Sequence, residues 1–143
     1  MAYEAPVLCI SFPANADLSN YQYCCVALST GGYLIPPTSC AARTIGVLQD
    51  KPGASGVSGK VMVKGVSKVF VGATSGLETS FSILPGKSLI ATSAGSVRPS
   101  SSAASRWVVG IALDKASSFS ASTYGASTSP PYIPMLIAFG YST

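Results

Sequence analysis

The sequence predicts a single all-β domain: a small β-sandwich or barrel with an internal pseudo-repeat, an extended N-terminal arm and a long C-terminal loop. Residues 45–71 carry the main signal, because short runs of Val and Ile there are separated by Gly and Pro. No apolar set in this stretch recurs with the period of a helix. A reduced copy of its opening, residues 45–51, returns 64 positions later as residues 109–115. These observations favour two sheet-forming halves of similar plan.

The same signals order the rest of the chain. The predicted strands are 7–12, 22–28, 33–35, 45–48, 60–64, 66–71, 88–91, 106–113 and 132–141. Pro134 places the start of the last strand at a sheet edge. In the second half, 88–91 takes the place of 25–28, Ala94-Gly95 that of Gly31-Gly32, and Val97 with Pro99 that of Ile35 with Pro36. Residues 117–131 are expected to form a long contact loop.

Residues 1–16 are assigned to the N-terminal arm and residues 17–143 to the β-rich domain. The strand at 7–12 can lie on a neighbouring molecule or join the main sheet. Gly46 and Gly110 are equivalent in the repeat, and both are expected where a side chain would collide with a neighbouring layer. Trp107 lies in a strand that is apolar on both faces and is expected to be buried.

The composition is poor in charge. Hydrophobic residues make up 48% of the chain and charged residues 10%, against a usual charged fraction of about 25%. A surface of apolar, Ser and Thr side chains favours lasting contacts with other chains. No apolar run approaches the roughly 18 to 20 residues of a spanning helix, and the N-terminus lacks signal-peptide features. The sequence therefore predicts synthesis in a cytoplasm and no membrane association.

Catalytic and metal sites are not expected. The chain has no histidine, and its four cysteines, Cys9, Cys24, Cys25 and Cys40, contain no C-x-x-C pair. They are predicted to be small buried hydrophobes, with a four-thiolate zinc site as the alternative. Asp50 and Asp114 are interpreted as turn residues at equivalent strand ends, with a glycosidase carboxylate pair as the alternative. No enzyme activity, cofactor, metal or disulfide is predicted.

Four lysines form the main charge feature: Lys51, Lys60, Lys64 and Lys68 lie within 18 residues that contain no acid, and they equal the net charge of +4. Strand alternation puts Lys60 and Lys64 on one face together with Met62. Such a stripe can meet an acidic protein surface or phosphates, or it can protect a sheet edge from unwanted pairing. Nucleic acid is disfavoured, because no groove of interleaved basic and aromatic residues is evident.

Several segments together resemble a known family. They are Asp17-Leu18-Ser19, Gln22-Tyr23, Val26, residues 45–52 (IGVLQDKP), residues 65–69 (GVSKV) and residues 109–113 (VGIAL). In this order they resemble the capsid decoration, or cement, proteins of tailed bacteriophages. The resemblance implies a small β-rich protein on the outer surface of the virion, often a trimer, that braces neighbouring major capsid proteins. It implies binding to the phage major capsid protein and to itself, as a trimer or a dimer, and no catalytic residues. The longer N-terminal segment and the 117–131 loop depart from the family.

Candidate contacts with the capsid or a second subunit are drawn from the arm, the lysine stripe and the long loop. They are Tyr3, Pro6, Phe12, Lys51, Pro52, Lys60, Lys64, Lys68, Tyr124 and Pro130. Deletion of residues 1–16 is expected to weaken capsid binding more than it disturbs the fold. The alternative function is a carbohydrate- or host-surface-binding domain of a phage fibre or spike, with Tyr21, Tyr23, Tyr33, Tyr124 or Trp107 as its platform.

Overall fold

The computed structural model describes residues 4–39, 41–72, 80–100, 106–120 and 132–141. Its strands are β1 (Ala5–Pro13), β2 (Cys25–Leu28), β3 (Leu34–Ile35), β4 (Gly46–Leu48), β5 (Ser58–Phe70), β6 (Ser80–Ile83), β7 (Ser88–Ala91), β8 (Val97–Pro99), β9 (Trp107–Ala112), β10 (Ala116–Ser120) and β11 (Tyr132–Tyr141). One 3-10 turn covers Ser19–Tyr21. The predicted all-β class is confirmed: one domain, built on a curled antiparallel sheet that forms a half-barrel.

The order of the strands in this sheet reveals the internal repeat. It runs β3-β2-β4-β5-β11-β9-β7-β8, with β1 added to β5, while β6 and β10 form a separate pair. From either end towards the middle, a short strand is followed by its hairpin partner, a glycine-containing strand and a long strand. The repeat therefore equates β3 with β8, β2 with β7, β4 with β9, and β5 with β11.

Strand register confirms this equivalence pair by pair. In the hairpins, Leu28 faces Leu34 in the first half, and Ala91 faces Val97 in the second. In the next ladder, Val26 faces Gly46 and Leu89 faces Gly110. The hairpin turns also match, since Gly32 and Gly95 both have φ near +80°. The predicted pseudo-repeat thus extends to register and turn geometry.

The paired glycines sit where a side chain cannot fit. A Cβ added to Gly46 would overlap the Met62 carbonyl oxygen and lie 2.6 Å from Val61 Cγ1. At Gly110 it would overlap the Leu136 carbonyl oxygen and lie 2.6 Å from Met135 Cγ. A collision is confirmed at both glycines, but the obstacle in each half is the adjacent strand of the same sheet and not a neighbouring layer.

The segments predicted as two strands, 60–64 and 66–71, are one bent strand, β5. Gln49 shows the bend: its backbone N–H donates to Lys60 O at 2.8 Å, and its Nε2 donates to Ser67 Oγ at 3.0 Å. A straight strand would hold positions 60 and 67 about 23 Å apart. Between them lies Gly65, with φ +126°. Glycine is suited to this conformation because it has no Cβ.

Three other element predictions change. The strand expected at 22–28 begins at Cys25, because Tyr21 to Cys24 form a tight turn closed by a 2.9 Å hydrogen bond from Cys24 N–H to Tyr21 O. The loop expected at 117–131 starts with β10, which pairs with β6; residues 121–131 lie outside the described part. Pro134 lies in a strand held between β5 and β9. Its carbonyl points to the β9 side and accepts from Leu113 N–H. The proline nitrogen faces the same side, beyond the end of β9 at Ala112, so its missing N–H costs no hydrogen bond to β9.

Two apolar clusters fill the fold. The main cluster lies between the halves and contains, among others, Cys25, Val47, Met62, Leu89, Val109 and Met135. The second cluster lies on the other face of the first half and contains Ala14, Leu18, Val26, Leu34, Leu48 and Val61. The first half is therefore covered on both faces, and this packing fixes the position of β1.

Candidate interaction surface

Strand β1 brings distant candidate residues together. It pairs antiparallel with β5, with Pro6 opposite Gly65, Leu8 opposite Lys64 and Ser11 opposite Lys60, and the register shifts on both sides of Leu8. Pro6, Lys60 and Lys64, all predicted contact residues, thus lie along one edge of the molecule. Of the two alternatives for this segment, the structure places it in the main sheet.

The outward side of β1 is apolar and exposed. Val7 is 69% exposed, Leu8 47% and Ile10 41%. β1 pairs with β5 alone among the described strands, so within the described residues its other backbone edge has no strand partner. Together with Lys60 and Lys64, these three residues and Pro6 are called the arm surface below. A long apolar edge strand is a ready template for pairing with another chain.

The inward side of β1 and the residue that follows it pack into the apolar clusters of the domain. Cys9 packs against the main cluster and Phe12 against the second cluster. Ala14 is fully buried, and its N–H donates to Val57 O at 2.9 Å. Deletion of residues 1–16 would thus remove part of the core as well as the exposed side chains. Point substitutions on the outward side are the cleaner probe of contact.

The four lysines do not form one stripe. Lys51, Lys60 and Lys64 are exposed, but Met62 between the last two is 2% exposed and belongs to the main cluster. Lys68 is only partly exposed, with its Nζ 4.0 Å from Glu4 and 4.8 Å from the centre of the Tyr23 ring. The predicted stripe is therefore wrong as a single feature. Lys60 and Lys64 form a pair beside β1, and Lys68 lies apart from them, in contact with Glu4 and Tyr23.

The other predicted contacts divide into three groups. Phe12 is partly buried in the second cluster. Pro52 is buried and its carbonyl accepts from Leu18 N–H at 2.8 Å, so its side chain offers little surface for a contact. Tyr3, Tyr124 and Pro130 lie outside the described residues.

Asp50 and Asp114 each accept a hydrogen bond from a backbone N–H, and the described cysteines are not paired. Asp50 accepts a hydrogen bond from Lys60 N–H at 3.0 Å, and Asp114 accepts one from Lys115 N–H at 2.7 Å. Cys9, Cys24 and Cys25 are free thiols. Burial raises the pKa of Cys24 to about 11. Within the described ranges, no group of three or more Cys, Asp or Glu side chains is placed to hold a metal ion.

The described residues also contain no helix with the length and apolar character needed to cross a membrane.

Two aromatic clusters were not predicted as such. Trp107, expected to be buried, is partly exposed and stacks on Phe139 at 6.1 Å, with the Arg43 guanidinium 5.6 Å from the indole centre. Tyr132 makes edge contacts with Tyr23 at 5.5 Å and with Phe70 at 5.8 Å. The sequence held a signal for the second cluster: because residues 25–28 correspond to 88–91, Gln22-Tyr23 corresponds to Pro85-Gly86, the residues that a turn favours. Comparisons of the chain with protein-family models, with curated proteins and with solved structures gave no match.

Proposed function

We propose that this protein is a structural virion protein that binds the outer surface of a tailed-phage capsid and cements neighbouring major capsid subunits. The observation that carries the proposal is the arm surface, an apolar edge strand beside two exposed lysines. The ordered motif resemblance in residues 17–113 supports the same function. In this proposal the protein acts as a homo-oligomer, a trimer or a dimer.

Burial of the apolar side chains of the arm surface would contribute measurably to the free energy of binding. Val7, Leu8 and Ile10 together expose the equivalent of about one and a half aliphatic side chains, and covering them would contribute about 3 kcal/mol per protomer. The free backbone edge of β1 adds hydrogen bonds if an extended segment of the capsid pairs with it. Several such contacts in one oligomer reinforce each other through effective concentration. Weak individual contacts then give firm attachment.

Lys60 and Lys64 place positive charge along one side of the arm surface. Lys60 and Lys64 lie across from Ser11 and Leu8, so their positive charge borders the apolar strand. Charges at the rim of an interface mainly speed and orient association. We therefore expect the capsid partner to present an apolar patch with acidic residues at its rim.

The experiment is binding of the purified protein to expanded, undecorated phage heads, followed by sedimentation. Saturable, stoichiometric binding and greater resistance of the heads to heat are expected. The double variant V7D/L8D should bind at least tenfold more weakly, because it places charge on the apolar strand. Leu84→Asp is the matched control, since Leu84 is 54% exposed on the separate β6–β7 turn. It should bind like the wild type.

A charge-reversal variant, K60E/K64E, should slow association and reduce its dependence on salt. If the wild-type protein does not bind heads saturably, the cement function is wrong. If V7D/L8D is folded and binds like the wild type, the arm surface is not the contact.

A further inference from the structure

A pocket lies apart from the arm surface, between the turn that precedes β2, the end of β5 and the start of β11. Its volume is about 310 Å³, and it is lined by Asn20, Tyr21, Gln22, Cys24, Phe70, Ala94 and Tyr132. We propose that this pocket binds a neutral saccharide of one or two pyranose rings. The inference does not rest on capsid binding and concerns a separate site.

The lining has the chemistry that such a ligand requires. Three aromatic residues, Tyr21, Phe70 and Tyr132, line the pocket, and aromatic rings suit the C–H face of a sugar ring. Asn20 and Gln22 supply amides for its hydroxyl groups, and none of the seven lining residues carries a charge at neutral pH. The volume lies at the lower end of the range of about 300–1,000 Å³ for small-molecule pockets. Aromatic walls with a few polar groups favour a small, neutral, hydroxyl-rich ligand.

The internal repeat provides independent evidence that this turn is specialised. Tyr21 to Cys24 form a type II turn, with Gln22 at φ −57°, ψ 133° and Tyr23 at φ +63°. Its hydrogen bond from Cys24 N–H to Tyr21 O is matched in the second half by one from Lys87 N–H to Leu84 O. The hydrogen bond from Tyr23 N–H to Leu48 O is likewise matched by one from Gly86 N–H to Ala112 O. The two turns are therefore equivalent.

The second-half turn carries the residues that a type II turn favours, Pro85-Gly86, with Gly86 at φ +84°. At the same two positions beside the pocket, the first half has Gln22 and Tyr23. A tyrosine at positive φ is unfavourable compared with glycine, and such strain is concentrated at functional sites. The turn requires a positive φ at both equivalent positions, 23 and 86, but this requirement does not explain a tyrosine at position 23. The side chains at 22 and 23 thus have a role beyond forming the turn.

The contacts of Tyr23 indicate that role. Its ring packs edge-on against Tyr132, 5.5 Å between centroids, and its carbonyl accepts from Phe70 N–H at 2.9 Å. The Tyr23 ring thus supports one aromatic wall, Tyr132, while its backbone carbonyl holds the strand that carries Phe70. The Gln22 amide is also held, because its Nε2 donates to Gln49 O at 2.9 Å, and in this proposal its Oε1 accepts from a sugar hydroxyl. A site with its aromatic and amide groups held in advance loses little entropy when a ligand binds.

The test is titration of the ¹⁵N-labelled full chain, followed by NMR. The probes are D-glucose, D-galactose, D-mannose, N-acetyl-D-glucosamine, and the disaccharides cellobiose, lactose and chitobiose. At least one probe should give saturable shifts at residues 20–24, 94 and 132, with a Kd of about 1 to 10 mM. The absence of saturable shifts with every probe would overturn the proposal.

Variants make the test specific. Gln22→Ala removes the acceptor from a partly exposed side chain in a turn and should weaken binding at least tenfold, while its spectrum stays dispersed. Tyr132→Ala should abolish binding, but it alters a central strand, so the decision rests on Gln22→Ala. The matched control is Tyr33→Ala, which removes a 41% exposed tyrosine from the β2–β3 turn and should leave binding unchanged.

Equal binding by Gln22→Ala and the wild type, or equal loss in Tyr33→Ala, would place any saccharide contact elsewhere and refute the pocket. Gln22→Ala should also bind phage heads like the wild type. This measurement separates a failure of the saccharide site from a failure of the cement function.

Discussion

Substitution of Gly110 by alanine tests the central ladder of the fold. The added methyl group would overlap the Leu136 carbonyl oxygen and lie 2.6 Å from Met135 Cγ and 2.7 Å from Met135 Sδ. The methionine side chain can move, but the carbonyl belongs to β11, and Leu136 is paired on its other side with Val66 of β5. Relief therefore requires a shift of a central strand. We expect a loss of about 3 kcal/mol in the free energy of unfolding, the upper part of the range for overpacking.

Thermal unfolding followed by circular dichroism measures this effect. For a chain of this length, a loss of about 3 kcal/mol lowers Tm by roughly 10 °C. Gly110→Val, with two further methyl groups, should melt lower still. Gly46→Ala should behave like Gly110→Ala, because its Cβ would overlap the equivalent carbonyl, that of Met62. The matched control is Gly140→Ala in β11, where a Cβ has no neighbour within 4 Å and Tm should stay within about 2 °C of the wild type. A Gly110→Ala protein that melts as late as this control would refute the proposed obstruction.

Two further predictions concern groups around the first half. Because burial raises the pKa of the Cys24 thiol from 9.0 to about 11, the stability that this group contributes is present below pH 9 and is lost as pH rises towards 11. The Tm of Cys24→Ala should therefore fall less between pH 9 and pH 11 than that of the wild type, and equal falls would exclude this thiol as a cause. Gln49→Ala removes hydrogen bonds from Nε2 to Val47 O and Ser67 Oγ, and it should lower the free energy of unfolding in urea by about 1 to 2 kcal/mol. Asn15→Ala, at an exposed position, is its control, and an equal midpoint for the two variants would mean that Gln49 does not brace the bend of β5.

The sequence was most informative where strand and turn signals are local. Val and Ile runs bounded by Gly or Pro located the central strands, and the copy of residues 45–51 at 109–115 predicted the equivalence of β4 and β9. The paired glycines could be predicted as points of close approach, since a glycine at the same place in two apolar strands needs a steric reason. Strand register was not predicted, but it agrees with the repeat, since a shift by one residue in either half would turn every side chain to the opposite face.

Features that depend on distant packing were not predictable. Alternation put Met62 on the side of Lys60 and Lys64, yet the second half covers Met62 and leaves the lysines at the margin. Strand β10 lies in a Ser-rich segment with little strand propensity and forms by pairing with β6. The turn at Tyr23 has neither Gly nor Pro, so local rules gave a strand there. The arm surface shows the same contrast. Pro6 and the lysines were identified separately from the sequence, but their proximity results from β1–β5 pairing.

Equivalent positions in the two halves have opposite surroundings. Cys25, Val47 and Met62 form one row across β2, β4 and β5 and are at most 2% exposed, whereas their counterparts Ser88, Ile111 and Leu136 reach solvent, with Leu136 40% exposed. One copy of the unit is thus constrained on both faces, and the other on one face only. If the repeat arose by internal duplication, selection would act differently on the two copies. Substitutions in the row of the first copy would disturb the core, whereas the outward row of the second copy can change with the partner or environment that the protein meets.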